Sequence, residues 1–153
     1  MLPSTVERVP VHTSEEFNEE IRRQTEKNIA QYADAGPAAI ERRLVELDRE
    51  WDIERTLEAN AATAVLVGLT LGATVDRKFF IFPALVAGFL LQHAVQGWCP
   101  PMPLFRRLGV RTSSEIDYER YALKAIRGDF RNLSDAQETS RLSVRRLVEA
   151  VKS

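Results

Sequence analysis

Cys99 is the one cysteine in a chain of 153 residues, and it stands in the element Gly97-Trp98-Cys99-Pro100, shortly after His93. A thiol attacks, carries sulfur or senses oxidation as thiolate, and thiolate is favoured by a helix N-terminus or a nearby cation. Cys99 instead follows an apolar run of helical character, close to C-terminal carbonyls that oppose its ionisation. Arg106 and Arg107 would compensate if the turn at Pro100, Pro101 and Pro103 folds back. The other reading of Cys99 is a small packing residue beside that turn. A single cysteine makes no internal disulfide and no CxxC pair. One His and one Cys are too few ligands to hold a metal, so neither a metal nor a cofactor is expected. No Ser/His/Asp set, phosphate loop or carboxylate pair stands in a catalytic context, and the chain reads as non-enzymatic.

The elements around these residues follow from the distribution of charge. A net charge of −1 supplies no basic footprint for nucleic acid. Asp, Glu, Lys and Arg are absent from Ala59 to Val75 and from Phe79 to Phe105, and crowd the rest of the chain. A bilayer-spanning helix needs about 20 mostly apolar residues. The segment 79–98 meets this, with an insertion preference of roughly 3–6 kcal/mol, and Pro83 falls in its first turn. The segment 59–75 is richer in Ala, Thr and Gly, worth roughly 2–4 kcal/mol. It inserts best as a partner of the second. The short turn Asp76-Arg77-Lys78 makes the two antiparallel neighbours. The expected fold is therefore all-α: a two-helix transmembrane hairpin over 59–105, with amphipathic cytoplasmic helices before and after it.

Arg42, Arg43, Arg49 and Arg55 precede the hairpin and Arg106, Arg107 and Arg111 follow it, against Arg77 and Lys78 in the turn. That bias places both termini in the cytoplasm. The amino-terminal residues lack a basic leader followed by an apolar run, so no cleavable signal is expected. Trp98 suits an interfacial anchor.

Two packing patterns lie inside the hairpin. Ala64, Gly68 and Gly72 recur at fourfold spacing, and Ala84 and Gly88 form a second small pair. Such residues let helices approach closely in lipid, within one hairpin or between two copies. Asn60, Thr63, Thr70 and Thr74 share one side of the first helix. Gln92, Gln96 and Cys99 share one side of the second, with His93 beside them. Polar groups in hydrocarbon face protein or water. They read either as hydrogen bonds between helices or as a polar path or ligand site. A path through two helices per chain requires several copies, which is the channel or carrier alternative.

Outside the hairpin, residues 1–36 form a polar arm and helix. Pro3 and Pro10 keep 1–12 extended, and Thr13 with Glu16 fits a capping box opening a helix to Ala33. Pro37 starts an amphipathic helix over 37–58, with Ile40, Leu44, Leu47 and Trp51 on one stripe. No Gly or Pro interrupts it before Gly68, so it runs on into the membrane, and its stripe is a contact surface for a cytoplasmic protein partner. In the tail, 113–153, Ser113 and Ser114 cap a helix to Arg127 with Tyr118, Tyr121, Ala122, Ala125 and Ile126 on its apolar side. Ser134 caps a last helix bearing Leu147, Val148 and Val151.

The stretch LGATVDRKFFIFPALVAGFLLQHAVQGWCPPMPLFRRLGVRT resembles the YgaP-like transmembrane domain, a small bacterial inner-membrane domain of unknown function. The resemblance covers about residues 58–112. It rests on two apolar helices, a short turn, the Gly97-Trp98-Cys99-Pro100 element and the turn Leu108-Gly109-Val110-Arg111-Thr112. It implies a multi-pass protein of the bacterial inner membrane that dimerises. In some relatives this domain follows a sulfurtransferase domain, whose catalytic cysteine has no counterpart here. That activity is not transferred, although a sulfur-transfer or redox accessory acting through Cys99 stands as an alternative. The resulting expectation is a membrane anchor or assembly module, dimeric, in contact with the lipid bilayer.

Overall fold

The structure, a computed structural model, describes residues 4, 6–130, 148, 149 and 151. All elements among them are helical: α1 Arg8–Val11, α2 Glu15–Ala35, α3 Pro37–Arg49, α4 Ile53–Thr74, α5 Ile81–Gln96, α6 Met102–Arg107 and α7 Ser113–Arg127. A four-residue 3₁₀ turn, Arg77–Phe80, links α4 to α5. The chain forms two compact units, Met1–Gln24 with Trp51–Ile116 and Thr25–Glu50 with Asp117–Ser153.

The first unit is organised by the α4–α5 hairpin. Both α4 and the run Arg77–Gln96 are long and apolar enough to cross a membrane. Asp76 makes the reversal tight by accepting a hydrogen bond from the Lys78 backbone N–H at 2.8 Å. Pro83 sits in the first turn of α5, where its missing N–H leaves no bond unmade. Gly68 and Gly72 are buried on the inner face of α4. A Cβ at Gly68 would lie 2.6 Å from Pro83 Cδ, and one at Gly72 would lie 2.7 Å from the Phe80 ring. The glycine pair therefore seats the two helices of one hairpin against each other. At the open end, Val9, Ile53, Leu57, Cys99 and Met102 form an apolar core, with Trp98, Phe105 and Val110 against it.

Local departures from the sequence reading have identifiable causes. The amino-terminal arm is not extended throughout: Pro10 lies within the first turn of α1, a position it tolerates. Thr13 does not build the expected capping box with Glu16, because its hydroxyl donates to the Val9 carbonyl at 2.8 Å. The helix from Pro37 does not run unbroken into the apolar segment. Glu50 turns extended (ψ 131°), and Asp52 restarts the helix by accepting from the Arg55 N–H at 2.8 Å. Asp is a strong N-cap, so a break forms without Gly or Pro.

The cap of α7 is Thr112, not Ser113 or Ser114. The Glu115 carboxylate accepts from the Thr112 N–H at 2.7 Å, and the Thr112 hydroxyl accepts from the Glu115 N–H at 3.3 Å, a reciprocal capping box. The inward face of α7 carries Ile116, Glu119 and Leu123, whereas Tyr118, Tyr121 and Ile126 are exposed. A charge occupies that inward face because Arg43 Nε donates to Glu119 at 2.7 Å in the second unit, which reversed the apparent polarity of the helix. Ser134 and Leu147, assigned to the last helix, lie outside the described residues; Val148 and Val151 are helical.

Candidate functional site

Three elements of the first unit bring four functional side chains together at the open end of the hairpin. Asp52 fixes the start of α4, which places Glu54 in its first turn. His93 lies in the last turn of α5, which Gly97 closes in the left-handed conformation (φ 81°). The chain then doubles back, burying Cys99 at 4% exposure. Gly97 also lets α1 lie across this end, since any Cβ there would collide with the Arg8 backbone.

The result is a chain of contacts. Arg8 donates to the Glu54 carboxylate at 2.7 Å and to the Ala94 carbonyl at 2.8 Å. The second donation neutralises one of the unsatisfied carbonyls at the end of α5. The other Glu54 oxygen lies 2.9 Å from His93 Nε2. Cys99 is buried at the same end of the hairpin, in the core with Val9, Ile53, Leu57 and Met102. His93 is 2% exposed, and its Nδ1 has no hydrogen-bond partner among the described residues. Chemically this is a buried imidazole tied to a carboxylate that a guanidinium holds in turn, an ion-paired cluster that closes the open end of the hairpin.

Sequence reasoning placed Cys99 and His93 near each other but missed Glu54 and Arg8. Glu54 reads as one more charge on a polar helix, and Arg8 as part of a loose arm. The signal available was Asp52, a capping residue that starts a new helix and turns Glu54 into a first-turn residue. Arg106 does not fold back onto Cys99. It is buried and makes two 2.7 Å bonds to Glu115, with further donations to Val110 O at 3.1 Å and Asn18 Oδ1 at 3.0 Å. Arg107 is exposed.

The intramembrane polar residues resolve differently. Thr63, Thr70 and Thr74 are exposed, and each donates its hydroxyl to the carbonyl four residues earlier, at 2.8, 2.8 and 2.7 Å. Asn60 does the same to Thr56 at 2.8 Å. These donors are satisfied by their own helix. Gln92 is half-buried and Gln96 exposed. Ala64 is half-buried beside Gly68, while Ala84 and Gly88 are exposed on the outer face of α5 with open space at Gly88.

The stripe of Ile40, Leu44, Leu47 and Trp51 is divided in the structure. Ile40, Leu44 and Leu47 are already buried within this chain at 2%, 6% and 1% exposure. Trp51 has left the helix, and its ring lies under the Arg55 guanidinium at 4.4 Å. Among the described residues no group of His, Cys, Asp and Glu is arranged to hold a metal ion.

Comparison with protein-family models, with curated proteins and with solved structures finds no match to this chain.

Proposed function

We propose that this chain is a non-enzymatic integral membrane module whose α4–α5 hairpin crosses the bilayer twice. One observation carries the reading. Only 17% of the most apolar stretch of the first helical run and 11% of that of the second are buried in the folded chain. Leu66, Val75, Ile81, Leu85 and Leu91 are all more than half exposed. A water-soluble fold does not leave two such faces open, whereas hydrocarbon covers them without further protein. The threonine hydroxyls, bonded within α4, lower the cost of facing lipid.

The resemblance to the YgaP-like domain supports a place in the bacterial inner membrane. The exposed Arg42, Arg49 and Arg55, which precede the hairpin in the chain, and Arg107, which follows it, support cytoplasmic termini. Association of two copies moves to Ala84 and Gly88, because Gly68 and Gly72 are occupied inside the hairpin.

The test is alkaline extraction of membranes combined with thiol labelling. In a Cys99→Ser background, a cysteine introduced at Lys78 should react with an impermeant maleimide from outside, and one at Leu108 only after permeabilisation. Recovery of the chain in the alkaline supernatant, or in a detergent-free soluble fraction, overturns the reading.

A further inference from the structure

The charge-free run that forms α5 does not stop where that helix does. It continues past Trp98 to Phe105, through the proline elbow and into α6. One crossing needs only about 20 residues, so the further positions call for a reason of their own. Cys99 and Met102 are packed into the core at the open end of the hairpin. Pro100, Pro101, Pro103 and Leu104 are exposed.

α6 has two unlike sides. Met102 and Arg106, one turn apart, face inward at 0% and 1% exposure. Leu104 and Leu108, also one turn apart, lie on the opposite side at 57% and 69%. The Leu108 N–H donates to the Leu104 carbonyl at 3.0 Å, which keeps the two leucines in helical register. Arg107, next to Leu108, is exposed. The apolar side is continuous with the hairpin, because Pro100 and Pro101 wall the same groove as Leu57, Ala61, Leu85 and Phe89. The surface that hydrocarbon would cover on α4 and α5 therefore runs on across the elbow to Leu104, and a cation stands at its rim.

We infer that α6 lies in the headgroup layer of a phospholipid bilayer, with Leu104 and Leu108 against the upper acyl chains and Arg107 at the lipid phosphates. Lipid matches both parts of this face: an apolar side edged by a cation is how helices lie in a membrane interface. Six residues are too few to hold a helix at a membrane unaided. Here α5 ends at Gln96 and α6 begins at Met102, so the hairpin itself delivers α6 to the surface. The inference rests on the hairpin reading for where the bilayer begins, and the experiment separates the two.

In a Cys99→Ser background, a nitroxide is attached to a single cysteine replacing Leu91, Leu104 or Leu108. The full chain is reconstituted into vesicles of phosphatidylethanolamine and phosphatidylglycerol. Power-saturation EPR compares collisions with oxygen, which concentrates in hydrocarbon, and with a water-soluble nickel chelate. Oxygen should outweigh nickel at all three sites, most strongly at Leu91, which lies deeper in the run. Arg107→Glu leaves Met102 and Arg106 in place and should raise nickel access at both α6 labels, because a carboxylate is repelled by the phosphates. Nickel access at Leu104 and Leu108 with Leu91 still in hydrocarbon overturns this inference and leaves the hairpin reading standing. Protection of the α6 labels from both reagents assigns the face to protein, such as a second copy, and overturns it as well. Nickel access at all three sites overturns both readings. An Arg107→Glu variant with the original profile overturns the placement of Arg107 at the phosphates.

Discussion

Gly97 and Arg8 meet backbone to backbone: the left-handed glycine that ends α5 leaves no room for a side chain against the Arg8 carbonyl. This approach, 89 positions apart in sequence, holds α1 across the open end of the hairpin and delivers the Arg8 guanidinium to Glu54. The glycine is thus needed for both its conformation and its lack of bulk.

Gly97→Ala should therefore be costly, and Gly109→Ala is the control. Gly109 has a similar φ of 82°, but a Cβ there would meet nothing within 4 Å. The control should lose roughly 1–2 kcal/mol, the left-handed penalty alone. Gly97→Ala adds the collision with α1 and should lose clearly more. Thermal unfolding of both variants in the same detergent checks this; equal losses would mean that α1 does not rest on Gly97.

Glu54→Ala should destabilise the first unit by about 1–3 kcal/mol, because it leaves Arg8 and the buried His93 without their shared acceptor. Partial exposure of the carboxylate keeps the figure below that of a fully buried pair. Urea or thermal unfolding in micelles measures the loss. A double variant with Arg8→Ala should lose less than the sum of the two single changes, since they share one interaction.

Gly68→Ile and Gly72→Ile should unfold the hairpin of a single chain rather than separate two chains. Each new side chain would enter the space of Pro83 or Phe80, and overpacking of this kind costs at least about 1–3 kcal/mol. Gly88→Ile meets open space and should leave monomer stability within about 0.5 kcal/mol. Its effect, if two copies associate through Ala84 and Gly88, should appear in crosslinking alone. Protease resistance of the monomer separates the two classes of variant.

Charge distribution and apolar run length made the hairpin legible, since Ala59–Val75 and Phe79–Trp98 map onto α4 and the segment through α5. The long-range electrostatics were not legible. Glu119 reads as solvated because a lone sequence does not reveal that Arg43 will meet it, and burying the pair inverted the reading of α7. Trp51 fitted the stripe of Ile40, Leu44 and Leu47 by spacing alone; Asp52 is a stronger local instruction than that periodicity. Cys99 and His93 were legible as neighbours, but their partners come from a short helix before α2 and from the first turn of α4. Nothing local links those segments until the chain has closed on itself.

Acid should weaken the first unit through Glu115. Burial pushes this carboxyl up, but the Arg106 guanidinium and the Thr112 N–H and hydroxyl outweigh burial and hold it below the ordinary carboxylate range. A group whose folded pKa is depressed stabilises the fold fully above its unfolded value, about 4.3 for Glu. That stabilisation declines as pH falls below about 4.3 and is gone once the folded pKa is passed. The buried Arg106 then lies opposite a neutral acid and keeps its donations to Val110 O and Asn18 Oδ1 without a carboxylate charge to balance it. Unfolding of the original chain should therefore steepen below about pH 4.3. Glu115→Gln should be less stable at neutral pH and show a flatter acid limb, because the group that titrates has been removed. Stability measured from about pH 7 to about pH 3 in both proteins decides it, and parallel curves would assign the acid sensitivity to other carboxylates.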